Sequence, residues 1–224
     1  MFEFTLSKLN LLIFVTAIAA IVLFFMNTVN SNLKTRQSFE LVYKIGKEIK
    51  SGMDSESYCS VKYIDIPKQI KTKEGHSTAY NVNYVLNVAS YDFEDEEGYY
   101  DHKLVLAVMD RKETKIYAAY DVDYKGEINF YKAEHNDTSG DEDYEKITST
   151  DNYVVYDPLR ERSNDTTLIF LKKTENQQNY FYLLPCSKKN GQYTCQKFIC
   201  NSSDFKSLSC KNIQLCATNI GDNT

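Results

Sequence analysis

With 224 residues, the chain has room for one ordinary domain, or two small ones, beside an anchor. Hydrophobic residues at 42 % and charged residues at 25 % exclude wholesale disorder. The net charge of −5 hides an asymmetry: residues 51–224 carry 20 Lys/Arg against 28 Asp/Glu, and an acidic domain without a basic patch argues against nucleic acid and anionic lipid surfaces as partners. Solubility alone is a sufficient reason for that charge.

No charged residue stands between Lys8 and Lys34, and Leu9–Met26 is interrupted only by Asn10 and Thr16. At 1.5 Å per residue the run is roughly 27 Å long, close to the thickness of a bilayer's hydrocarbon. A cleaved signal peptide usually has a shorter apolar stretch, so a retained anchor is expected. The sequence therefore divides into a tail (1–8), a transmembrane helix (9–33) with the lipid bilayer as partner, an amphipathic continuation (34–52) and a β-rich domain (53–224). The basic residues after the anchor, Lys34, Arg36, Lys44, Lys47 and Lys50, favour a cytoplasmic C-terminal side. The cysteines and sequons described below favour the opposite, and a single-pass protein with its C-terminal domain outside the cytoplasm is the expectation.

Val42, Ile45 and Ile49, with Leu41 beside them, recur at helical spacing, and Gly52 is a suitable stop. Residues 5–51 contain no proline and predict one helix of about 70 Å, with Asn27–Asn32 as the place for a break. From Tyr58 the period changes to two. Tyr80–Ser90 alternates as a half-buried strand, and Lys103–Met109 is apolar on both faces. Lys115–Val122 and Glu127–Tyr131 follow after short turns and complete an expected antiparallel meander. His135–Thr150 reads as an acidic loop. Tyr153–Tyr156, Thr166–Lys172, Tyr180–Leu184 and Tyr193–Ile199 are further strands.

Five of the six cysteines, Cys186, Cys195, Cys200, Cys210 and Cys216, lie in the last 39 residues, and Cys59 stands apart. An even number behind an anchor predicts disulfides in an oxidising compartment. Asn190-Gly191 is a hairpin turn pair, and counting outward from it brings Cys186 opposite Cys195 at bonding distance. Cys59 is left to join Cys200, Cys210 or Cys216. Structural zinc and free thiols are the alternatives; there is no C-x-x-C pair to favour zinc. Asn136, Asn164 and Asn201 begin glycosylation sequons, expected in loops of the external side.

Asp92–Asp101 is a dense acidic loop that reads as a solvated hairpin tip before it reads as a calcium site. Asp121–Gly126 opens like a calcium loop, but Lys125 and Lys132 stand where ligands belong, so it reads as a turn. His76, His102 and His135 are scattered, and no nucleophile elbow, zincin helix or phosphate loop is present. The chain is accordingly expected to be no enzyme and to need no cofactor or metal.

Phe4-Thr5-Leu6-Ser7-Lys8-Leu9 resembles the start of type IV pilins and pseudopilins, Phe-Thr-Leu-Ile-Glu-Leu. The sequence departs from that pattern at Glu3, where the family has Gly, and at Lys8, where it has Glu. The resemblance implies an α+β fold, a long N-terminal helix (transmembrane, then amphipathic) packed on an antiparallel β-sheet domain. It also implies a structural surface subunit that self-associates or meets other surface proteins. A tethered binding or adhesion domain for a protein, glycan or cation is the alternative, with a membrane-anchored enzyme the least favoured reading.

Overall fold

The computed structural model describes residues 2–72, 80–94, 100–135, 142–147, 153–159, 166–189 and 192–202. It begins with α1 (Phe2–Met53), a helix with no break at Asn27–Asn32 and no separate tail over residues 2–8. Along this helix, side chains are described from Phe14 onward except at residues 25–27, 29 and 30. Among the described residues thirteen strands follow, and strands hold more of these residues than helices do.

Two sheets form the body. The first contains β4 (Val85–Glu94), β5 (Tyr100–Met109), β6 (Ile116–Tyr124) and β9 (Tyr153–Tyr156) in the antiparallel order β6-β5-β4-β9. The second contains β1 (Cys59–Asp65), β7 (Glu127–His135), β8 (Glu142–Lys146), β10 (Thr167–Glu175) and β11 (Gln178–Cys186) in the order β1-β10-β11-β7-β8. Its β11–β7 pair is parallel, so this sheet is mixed. A small pair, β2 (Ile70–Thr72) with β3 (Tyr80–Val82), joins the body after β1.

The expected α+β, pilin-like arrangement, a transmembrane helix on one antiparallel sheet, is corrected by this architecture. The strands divide between two sheets, one of them mixed, and among the described residues no helix is long and apolar enough to cross a membrane. The expected meander is corrected with it. β6 and β7 do not pair, because the chain leaves one sheet for the other between Tyr124 and Glu127. Gly126 makes that passage with φ +138°, and a Cβ there would collide with the Asn179 carbonyl. Only glycine combines that dihedral with such an approach. The stretch read as a loop, His135–Thr150, contains β8, and the strand expected over Tyr193–Ile199 becomes a turn and α2 (Gln196–Asn201).

The main core lies between the sheets and α1. Leu86, Val88, Leu104, Leu106 and Val122 come from the first sheet; Leu168, Phe170, Phe181 and Leu183 come from the second. Tyr124 meets Phe181 edge-on at 5.9 Å, and its buried hydroxyl lies 2.6 Å from Ser90 Oγ. Each of the two central strands β10 and β11 is apolar on both faces, because the outer face of their sheet is covered too. There Ile169, Leu171, Leu184, Cys186, Cys195 and Ile199 form a second core under α2.

The helix supplies Val42, Ile45, Ile49 and Met53, all buried. Its backbone comes very near the sheets at two glycines. A Cβ on Gly46 would overlap the Tyr120 ring, and one on Gly52 would overlap the Phe170 ring. Where α1 ends, Lys172 of β10 is 6 % exposed and donates from Nζ to the carbonyls of Met53 (2.8 Å) and Ser55 (2.6 Å). A cation at a helix C-terminus meets the negative end of the helix dipole and satisfies carbonyls that the helix itself leaves open.

Two stability predictions follow from this seat. Gly52→Ala must displace Phe170, which is fully buried, and overpacking of that kind costs about 1–3 kcal/mol against a helix-propensity gain of about 1 kcal/mol. Gly46→Ala meets Tyr120, which is partly exposed and can swing outward, so the propensity gain offsets more of the cost. Denaturant titration should rank Gly52→Ala as the less stable of the two; the reverse order would mean the seat lies at Gly46. Lys172→Met leaves two carbonyls without their donor and should lower stability by about 1–3 kcal/mol in the same assay. An unchanged midpoint would show that this cap contributes nothing.

Candidate functional site: the uncovered half of the first helix

The face of α1 that meets the domain follows Ser38, Val42, Ile45 and Ile49, all fully buried. Stepping back along the same stripe gives Thr35, Ser31, Thr28 and Phe24, where the helix rises past the end of the sheets. Thr28 and Thr35 turn their hydroxyls back onto the helix, to the Phe24 and Ser31 carbonyls at 3.0 and 3.1 Å. These residues and the β5–β6 turn enclose a cleft of about 480 Å³, to which Lys115 and Tyr117 contribute the opposite wall. Lys115 Nζ lies 5.9 Å from the centre of the Tyr117 ring. Burial, and then Asp110 nearby, push the Tyr117 phenol up, so the wall carries no phenolate at neutral pH.

Asp110 builds the turn that presents Lys115. Its Oδ1 accepts from the amides of Thr114 (2.7 Å) and Lys115 (2.8 Å), and its Oδ2 accepts from the Thr114 hydroxyl (2.9 Å). The neighbouring Arg111 is held to Asp157 at 2.6 Å.

From the cleft's Phe24 toward the N-terminus, Phe14, Val15, Ile18, Ile21, Val22, Leu23 and Phe24 are all 46–70 % exposed. They point in every direction around the helix. An α-helix that is apolar all round normally lies buried. The expected single-pass membrane localisation is nevertheless corrected: among the described residues no helix is long and apolar enough to cross a membrane.

The sequence-derived site residues fall elsewhere. Cys186 and Cys195 form a disulfide with Cα atoms 5.5 Å apart. The hairpin around them, β12 (Lys188–Lys189) with β13 (Gln192–Tyr193), pairs Lys188 with Tyr193 and Lys189 with Gln192. Pro185, an obstacle in a central strand, lies where β11 has β10 on one side only, because pairing with β7 ends at Leu183. Cys59 and Cys200 are also disulfide-bonded, while Cys210 and Cys216 lie outside the described residues. Asn136 and Asn164 lie outside them too, and Asn201 is the last residue of α2.

In the acidic stretch, Asp92 Oδ1 lies 2.7 Å from His102 Nδ1, and residues 95–99 are outside the description. Asp121 and Asp123 belong to β6, not to a turn, and both face Lys103, at 3.6 and 3.7 Å. Among the described residues no three His, Cys, Asp or Glu side chains converge as a metal ion requires. His76 is outside the described residues, and His135 closes β7.

Sequence reasoning missed Lys172, Phe39 and Tyr43. Lys172 looked like a strand end, although a lysine inside an apolar strand is itself a sign of a buried acceptor. Phe39 and Tyr43 are exposed aromatics on the flank of α1, stacked on each other at 6.2 Å, with Tyr43 edge-on to Tyr120 at 5.4 Å. No family model matches the chain, and neither a curated protein nor a solved structure matches it.

The Asp110 turn gives a pH prediction. The Lys115 amide, with the Thr114 hydroxyl and amide and the Lys112 charge, holds the carboxyl below its usual 3.8 against the opposing effect of desolvation. A folded pKa below the unfolded one means that the turn gains stability above the usual value and loses it as pH falls through the folded one. The amide resonances of Thr114 and Lys115 should titrate together with a midpoint below 3.8. A midpoint at or above that value would show that the carboxylate does not hold the turn.

Proposed function

We propose that this protein is a non-enzymatic structural module whose N-terminal helix is an assembly element and whose two-sheet domain is the part displayed. One observation carries the reading. The same helix is seated in the domain by Val42, Ile45 and Ile49 and leaves Phe14–Phe24 exposed all round. Apolar surface of that extent is covered in a working protein, and a bundle of helices covers every side where a globular partner covers one. The disulfide Cys186–Cys195 supports display in an oxidising compartment, because such bonds persist there.

Sedimentation of the full chain over a range of concentrations, with and without neutral phosphatidylcholine vesicles, tests this. Assembly predicts an oligomer without vesicles, and a monomer of unchanged circular dichroism when Ile18 and Val22 are both replaced by Asp. A full-length chain that stays monomeric, free or floating with the vesicles, would overturn the reading; the free monomer would leave the β-domain as a binding or adhesion domain acting alone.

A further inference from the structure

The chain holds 18 tyrosines, and some of their rings meet one another. Tyr131 and Tyr182 are tilted at 39° with centroids 6.5 Å apart, and both are buried. Tyr43 meets Tyr120 edge-on, at 84°. Tyr63 and Tyr193 differ from both pairs. Their centroids are 4.7 Å apart, at the short end of aromatic contacts, and their planes lie within 20° of each other. Tyr63 is also 39 % exposed, so a reagent in solution reaches it.

The pair joins two parts of the fold that share no strand ladder among the described residues. Tyr63 belongs to β1, the outermost strand of the second sheet, and lies on its outer face with Val61. Tyr193 belongs to β13, which pairs only with β12. Lys188 Nζ lies 5.5 Å from the Tyr193 ring centre, and Cys195, two residues further on, is bonded to Cys186. The hairpin is thus tied to its own strand by a disulfide and to β1 by stacking. Burial, and then the neighbouring Tyr193 phenol, push the Tyr63 phenol up. One phenol acts on another in this way only at short range, so the two hydroxyl ends lie near each other.

We infer that Tyr63 and Tyr193 form an oxidative cross-linking site, where a carbon–carbon bond between the rings joins the edge of the second sheet to the C-terminal hairpin. The co-reactant is a one-electron oxidant of the peroxidase class with hydrogen peroxide. Each phenol gives up one electron and one proton, and the two phenoxyl radicals couple at the ring carbons beside the oxygens. The hydrogens on those carbons then move to the oxygens, which restores both rings and both hydroxyls. Two ring C–H bonds are replaced by one C–C bond, and one peroxide becomes two waters. The inference does not depend on the assembly of α1.

The test treats the dilute full chain with a haem peroxidase and hydrogen peroxide until Tyr58, 74 % exposed, has reacted. The monomer is then isolated under denaturing, reducing conditions and digested. A peptide pair joined through residues 63 and 193, two hydrogen atoms lighter than its parts, is expected. Tyr63→Phe and Tyr193→Phe each keep a ring in the stack, so they should leave the melting curve in place before oxidation and lower the joined product at least tenfold. Denaturant titration with the disulfides reduced should place the oxidised chain above the untreated one, and Tyr63→Phe should show no such gain. Consumption of Tyr58 with no product joining residues 63 and 193 would overturn the inference, and so would an equal gain in Tyr63→Phe.

Discussion

Everything else in this molecule depends on how closely the second half of α1 approaches the two sheets. Ordinary helix-on-sheet packing leaves a layer of side chains on each side. Here Gly46 and Gly52 remove the helix's share of that layer, so that the Tyr120 and Phe170 rings lie against bare backbone. Ser38, fully buried, is small as well, and its hydroxyl has no hydrogen-bond partner.

That seat brings the two sheets into one domain. Val42, Ile45, Ile49 and Met53 touch a core to which both sheets contribute, so the helix closes the open side between them. The closure needs a finished helix end, since buried carbonyls without partners would work against it. Lys172 supplies the partners from β10, the strand whose Phe170 also receives Gly52. One strand therefore fixes both the depth of the helix and its terminus. A lysine at 6 % exposure is acceptable here because its ammonium group meets two carbonyl oxygens.

The fold was legible in the sequence where a short-range rule decides the outcome. The Asn190-Gly191 pair fixes the register of the hairpin, and with it Cys186 opposite Cys195, because two residues in a turn leave no freedom. The burial of Val42, Ile45 and Ile49 follows from their spacing alone. What could not be read was partnership between distant strands. β6 and β7 are separated by two residues, and nothing local says that the chain changes sheets there; the reason is Gly126 against the carbonyl of Asn179, more than fifty residues away. α2 was misread because Cys195 is tied back to Cys186, which ends the hairpin and frees Gln196–Asn201 to turn over the second core. The candidate site was only half legible. The apolar run is plain in the sequence, but the exposure of Phe39 and Tyr43 beside the domain is settled by the fold and not by their spacing.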